Sequence, residues 1–445
     1  MQASAVSEPA PVLQTGKVSP YAWFVLGVLC LGSIVSYIDR QIINLLVEPI
    51  KLDLGINDTQ IGLLQGFSFV LFYAILALPL ARLADSSNRV RVIMYGVLCW
   101  SFATFFCGLA ASFAVLFIAR MLVGVGEATL TPSAYSIIPD YFPKDRAAMA
   151  ISIFAGSTFI GSGVAYIIGG RIIGYLESVG SISLPLVGLL APWQLTFIFV
   201  AIPGLLVFLL MLAVREPARI DAGVGQDDAR IAAVVGHLKT NPRLFTGLFF
   251  GLTLLAAGTF AVNSWAPTFF IRVYGWSPGE VGAVFGTLVV VASAGGVFAG
   301  GAIASALMRR GVASANMLVP MVAAGLAIPL SIAFPLMPSA TSSLMVLAPM
   351  LFLSAVPFGC GSAVLPLVSP NRMRAQMVAL YLLVANLVGF TLGPTSIGVL
   401  TDFVYRSPDL IGWALATSPP LFYLIGLGLI GWAIPPYREL IESRA

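Results

Sequence analysis

The sequence predicts an all-α integral membrane protein with twelve transmembrane helices in two six-helix bundles. Three observations lead there. Of 445 residues, 59% are hydrophobic and only 9% charged, and mean hydropathy is +0.97, whereas water-soluble domains are about 25% charged. Apolar runs recur at the length of about 20 residues that a bilayer-crossing helix needs. Basic residues cluster on alternate loops. This composition excludes a cytosolic enzyme, a secreted disulfide scaffold and a nucleic-acid-binding domain. The net charge of +4, from 23 basic and 19 acidic residues, is too even and sparse to attract a polyanion.

Residues 1–21 hold Glu8, Lys17 and three prolines. They lack the basic segment and short apolar core of a cleaved signal peptide and read as a disordered tail. The first bundle, 22–214, divides into spans at 22–47, 61–82, 92–111, 113–138, 147–170 and 193–214. Several contain Pro and Gly, which neighbouring helices make tolerable in a membrane. Residues 215–243 form a polar linker around GVGQDDAR (223–230), with a short amphipathic helix in DARIAAVVGHLK (228–239). In the second bundle, 244–437, Leu244–Ile271, Val281–Met308, Ala375–Thr401 and Leu410–Tyr437 each make one span. Gly311–Asn371 carries no acidic residue, Lys or Arg over 61 residues, and PLMPSATSS (335–343) divides it into two spans. Residues 438–445 are a short tail. FPKDRAAMAI (142–151) and SPNRMRAQMVAL (369–380) echo each other about 228 residues apart, as parallel six-span repeats do.

With the N-terminus in the cytoplasm, 17 basic residues lie on the cytoplasmic loops and tails. Four, Lys51, Arg171, Arg272 and Arg406, lie outside. That asymmetry places both termini in the cytoplasm. The two remaining arginines, Arg40 and Arg120, fall inside spans. Cys30, Cys99, Cys107 and Cys360 all lie in apolar runs and read as small buried hydrophobes. The single His237 has no companion ligand, so no metal site and no cofactor are expected. No GxxxxGK[ST] loop occurs, which leaves an ion gradient rather than ATP as the energy source.

Ionisable side chains inside a span cost at least about 2.5–3.5 kcal/mol and are functional candidates by default. SYIDRQ (36–41) puts Asp39 and Arg40 in span 1; ARMLVGVGEA (119–128) puts Arg120 and Glu127 in span 4. Arg120, Gly124 and Glu127, at i, i+4 and i+7, share one helix face. The four charges are expected to form one buried network, read either as a proton-coupling site or as a static ion-pair cluster that fixes helix packing. Asp39 and Glu127 are the candidate proton carriers. Arg40 and Arg120, whose forked guanidinium suits phosphate, are also the candidate head-group ligands. The second bundle has no deep charge, and Asn263, Trp265, Phe358, Tyr381 and Asn386 are its candidate substrate contacts. A charged half beside an apolar half suits an amphiphile with a polar head and a hydrocarbon tail.

PLARLADSSNRVRV (79–92) resembles the loop signature of the major facilitator superfamily, with Asp85, Arg89 and Arg91 supplying its acid and basic residues. The resemblance implies a gating loop that latches the two bundles, weakened here because Ala81, Ser86 and Asn88 replace a Gly, an Arg and a Gly. Arg120 and Gly124 match the superfamily's Arg-x-x-x-Gly motif, associated with proton coupling. Gly156, Gly161, Gly163, Gly169 and Gly170 resemble its antiporter glycine motif without the proline.

Within the superfamily, SYIDRQIIN (36–44), the run 54–85 and ARMLVGVGEATLTPSAYSIIPDYFP (119–143) resemble the spinster-like lipid transporters. That likeness implies a lysophospholipid or sphingosine-1-phosphate-like substrate, proton coupling through Asp39 and Glu127, a functional monomer and a bacterial inner membrane. The alternative of the same class is an exporter or importer of small organic anions or drugs. A lipid scramblase or a membrane lipid enzyme is the alternative of a different class.

Overall fold

The computed structural model describes residues 18–185, 188–219, 231–370 and 373–442. Twelve helical spans are long and apolar enough to cross a membrane. They are span 1 (Pro20–Leu45), 2 (Asp58–Ala77), 3 (Arg89–Cys107), 4 (Phe113–Tyr141), 5 (Asp145–Val179), 6 (Pro192–Met211), 7 (Pro242–Tyr274), 8 (Pro278–Arg309), 9 (Ala315–Leu336), 10 (Ala340–Val368), 11 (Gln376–Val404) and 12 (Pro408–Ile441). An even number of crossings returns span 12 to the end where span 1 starts, here called the terminal end; the other is the far end.

The boundaries differ from the sequence expectation where caps decide them. The first helix starts at Pro20, inside the expected tail, because Ser19 accepts the Ala22 N–H and Pro20 tolerates the first helical turn. Residues 1–17 lie outside the described residues. Span 5 runs nine residues past its expected end, to Val179, and a small hairpin pairing Ile182–Leu184 with Gly188–Leu190 follows it. The linker helix spans Ile231–Thr240, while 220–230 lie outside the described residues. The last helix continues to Glu442 rather than giving way to a tail at 438.

Two of the spans break where they matter. Span 1 leaves α-helical geometry after Gln41, passes through a 3-10 turn at Ile42–Leu45, and is followed by a short helix, Val47–Leu54. The paired β-branched residues Ile42 and Ile43 weaken the helix at that point. Span 4 pauses after Glu127, where the Thr129 hydroxyl donates to the Gly126 carbonyl at 2.8 Å, and resumes at Leu130.

The bundles meet along spans 2 and 11 and along spans 5 and 8. At Gly66 a Cβ would overlap the Phe390 carbonyl oxygen, and at Gly163 it would overlap Val290 and the Gly286 carbonyl, so backbone packs directly on backbone. Ion pairs reinforce the far end. Arg272 of span 7 binds Asp58 through Nη1 at 2.8 Å and Nη2 at 2.7 Å, and also pairs with Glu48. Lys51 shares Asp58. Asp402 of span 11 accepts the Thr59 N–H at 2.6 Å and the Asp58 N–H at 3.3 Å, capping the helix that opens span 2.

Candidate functional site

Arg40 and Glu127 form an ion pair inside the first bundle, Nη2 to Oε2 at 2.7 Å. Ser36, one helical turn before Arg40, donates its hydroxyl to the same Oε2 at 2.6 Å. Glu127 is 1% exposed, and its Oε1 has no hydrogen-bond partner among the described residues. The Arg40 guanidinium lies 4.3 Å from the ring centre of Phe69, 4.8 Å from Tyr37 and 5.3 Å from Tyr73. Such contacts contribute about 0.5–2 kcal/mol each and hold the cation without using its remaining donors. Phe69 comes this close because span 4 carries glycine at 124: a Cβ there would overlap the Phe69 carbonyl oxygen.

Arg120 departs from the expected network. It is 1% exposed and donates to backbone, Nη1 to the Asp39 carbonyl at 2.8 Å and Nη2 to the Arg40 carbonyl at 3.3 Å. Those carbonyls lie in the last turn of the span 1 α-helix, where the regular i+4 partners end. Arg120 thus serves as a C-cap from another helix, its charge set against the negative end of the helix dipole. The Asp39 carboxylate is buried, and neither oxygen has a hydrogen-bond partner among the described residues. The four charges are brought to one place, but as a pair, a cap and an unpaired acid.

The second-bundle candidates separate. Phe358 is 41% exposed and packs against Phe260, which stacks on Phe390 with ring centres 3.8 Å apart. Because Phe390 lies against Gly66, one turn from Phe69, this aromatic row adjoins the Arg40 site across the bundle interface. Asn386, one turn before Phe390, is half-buried. Asn263 donates to the Thr259 carbonyl at 3.1 Å and its Oδ1 has no hydrogen-bond partner among the described residues, while its carbonyl accepts the Tyr166 hydroxyl of span 5 at 2.8 Å. Tyr381 packs edge-on to Phe249, away from this row. Trp265 is fully buried and its indole N–H donates to the Pro394 carbonyl at 2.8 Å, so it joins helices rather than lining the site.

The basic residues of the loop signature are placed at the terminal end of span 3. Arg89 is buried and binds Asp140 of span 4 at 2.6 Å and Glu216, at the start of the linker, at 2.7 Å. Arg91 is exposed. The Asp85 side chain lies outside the described residues.

Sequence reasoning missed Ser36, Tyr37, Phe69, Tyr73, Phe260 and Phe390. Tyr37 carried a usable signal, three residues before a buried charge on the same helix face. The others have ordinary membrane-helix composition.

The model for the Major Facilitator Superfamily matches residues 29–394. Mouse protein spinster homolog 1 is 28% identical over 452 residues, covering 94% of this chain and 81% of that protein. An MFS-type efflux pump of Mycolicibacterium smegmatis is 28% identical over 290 residues, 65% of this chain and 64% of the pump. The match to Drosophila melanogaster protein spinster spans 46% of that protein. Among solved structures, a bacterial homolog to the human lysosomal transporter spinster, in an inward-facing and unoccupied conformation, superposes with a TM-score of 0.78 at 29% identity, covering 96% of this chain and 98% of that one. A D-xylose-proton symporter shares the fold, with a TM-score of 0.65 at 15% identity over 91% of this chain and 97% of that one. These relatives are transporters rather than enzymes, and with most of its length matched the chain belongs to the Major Facilitator Superfamily.

Proposed function

We propose that this protein is a proton-coupled secondary transporter that carries an amphiphile with an anionic head group, of the lysophospholipid or sphingosine-1-phosphate type, by alternating access. The observation that carries the reading is the Arg40–Glu127 pair, partly open at Arg40, with an unpartnered acid, Asp39, on the same helix turn. An anionic head group competes with Glu127 for Arg40, whose phosphate-compatible fork already rests on aromatic rings. Once displaced, Glu127 is a buried carboxylate without its cation, and taking a proton is the cheapest way to relieve it. Head-group binding and protonation of Glu127 are thereby linked at one guanidinium. Asp39 provides a second protonatable group beside it. The Phe358–Phe260–Phe390 row, reached across Gly66, accepts the hydrocarbon tail.

The protein works as a monomer in a bacterial inner membrane with both termini in the cytoplasm, an orientation supported by the distribution of basic residues. Its far end, held by Arg272, Asp58 and Glu48, then faces outward and is the closed side.

The test is flux of labelled lysophospholipid into liposomes holding the purified protein, with and without a pH gradient, for wild type, Asp39→Asn, Glu127→Gln and Arg40→Gln. The expected result is gradient-driven flux that Glu127→Gln uncouples and Arg40→Gln abolishes. Wild-type flux indifferent to the gradient sinks the coupling and favours a scramblase. Transport of a small organic anion in place of the lipid sinks the substrate assignment alone.

A further inference from the structure

At the terminal end of the first bundle, spans 3 and 6 leave a groove of about 450 Å³ between them, the size of a small-molecule site. Arg91, Tyr95 and Leu98 follow one face of span 3, and Phe208 and Leu212 form the opposing wall. Tyr95 is 70% exposed and Leu212 58%, so the slot opens sideways, out of the bundle. Arg91 stands at its rim, where span 3 begins. Its backbone N–H is taken by Asn88 at 2.8 Å, but its guanidinium makes no hydrogen bond or ion pair among the described residues. The one acid in the lining, Glu216, makes no ion pair with it. Both Glu216 oxygens are held, one by Arg89 Nε at 2.7 Å and the other by the Val90 N–H at 3.0 Å.

An apolar slot that ends, at the level of the membrane surface, in a cation without an ion-pair partner among the described residues is the complement of one kind of molecule. We infer that this groove binds an anionic phospholipid, its phosphate against Arg91 and one acyl chain along Tyr95, Leu98, Phe208 and Leu212. A net-neutral lipid presents a phosphate that already has its own cation nearby, so the groove selects by charge. One basic residue near a membrane surface gives a preference on the order of fivefold. The bound head group sits beside the Arg89–Glu216 contact and therefore beside the charge network that ties spans 3 and 4 to the segment following span 6. This inference does not depend on what the protein transports.

A tryptophan on the groove wall reports occupancy. Tyr95→Trp is reconstituted in phosphatidylcholine vesicles containing brominated phosphatidylglycerol or brominated phosphatidylcholine at equal mole fractions. Quenching of the seven native tryptophans is measured on the parent and subtracted. The expected result is half-quenching at about a fivefold lower fraction of the brominated anionic lipid. Arg91→Gln in the same background should make the two lipids equivalent, and Arg91→Lys should keep most of the preference. Should Tyr95→Trp fail to reconstitute, Leu98→Trp reports from the same wall. Equal quenching without the Arg91 substitution makes the groove ordinary boundary-lipid surface and overturns the proposal. A preference that survives Arg91→Gln places the selective cation elsewhere and overturns it too.

Discussion

Arg120 donates to the backbone carbonyl of Asp39 at 2.8 Å, while the carboxylate of the same residue has no hydrogen-bond partner among the described residues. The guanidinium therefore holds the position of Asp39 without fixing its charge. A buried acid that is positioned through its own main chain stays free to change protonation state, which an acid locked in a bidentate pair is not. The separation also assigns different duties to the two intramembrane arginines, and mutagenesis can tell them apart.

Arg120→Gln should lose both cap bonds. Hydrogen bonds from a charged donor are worth about 1.5–3 kcal/mol each, so a loss of about 3 kcal/mol in stability is expected. The measurement is the thermal unfolding midpoint in detergent. Arg120→Lys should recover only part, since a single ammonium replaces a fork that reaches two carbonyls. A wild-type midpoint in both variants would remove the capping role.

Arg40→Gln should behave differently, because it strands Glu127 as a buried carboxylate. Stranding a buried charge costs about 3–5 kcal/mol, so the variant should lose a comparable amount of stability, read as the unfolding midpoint in detergent. The double variant Arg40→Gln with Glu127→Gln should recover most of that loss, because it removes the stranded charge. A double variant no more stable than Arg40→Gln alone contradicts the pairing.

Arg272 and Asp58 should show strong coupling in a double-mutant cycle. Close charge pairs of this kind couple by about 1.5–7 kcal/mol, and here both Asp58 oxygens face the guanidinium. Because the partners lie in different bundles, the readout is conformational: Asp58→Asn or Arg272→Gln should raise the reactivity of a cysteine placed at Asn263 towards a membrane-impermeant maleimide applied from the far end. Unchanged labelling would mean that the pair does not hold that end shut.

Two glycine substitutions should separate switching from folding. Gly66→Ala places its methyl group on the Phe390 carbonyl, across the bundle interface, whereas Gly124→Ala places it on the Phe69 carbonyl within one bundle. The first should reduce flux severalfold with the unfolding midpoint largely kept. The second should lower the midpoint by overpacking, typically about 1–3 kcal/mol. Reversal of that order would argue against the assignment of the two contacts.

The intramembrane charges were legible because Asp39, Arg40, Arg120 and Glu127 are conspicuous in runs that are otherwise apolar. Their partners were not. Which acid meets which arginine depends on the α-helix of span 1 ending at Gln41, and neither the 3-10 turn nor the carbonyls that Arg120 reaches have a marker at the resolution of hydropathy. The inter-bundle cluster was hidden for the opposite reason: Glu48, Asp58 and Arg272 look like ordinary span-end charges until two distant segments are brought together. Trp265 shows how an amphipathic aromatic misleads, since its N–H finds the Pro394 carbonyl and leaves nothing for a ligand. The division at residues 335–343 was legible because Pro and Ser cluster there; the structure turns at Met337–Ser339.

The seam between the bundles has a thermal consequence. Where Gly66 and Gly163 bring main chain against main chain, parting the surfaces releases few side-chain rotamers and wets little hydrocarbon. Heat-capacity changes follow apolar area exposed to water, so opening this seam should carry only a small one. The far end is then held mainly by its charges, and its opening rate should plot as a nearly straight Arrhenius line whose intercept moves with ionic strength.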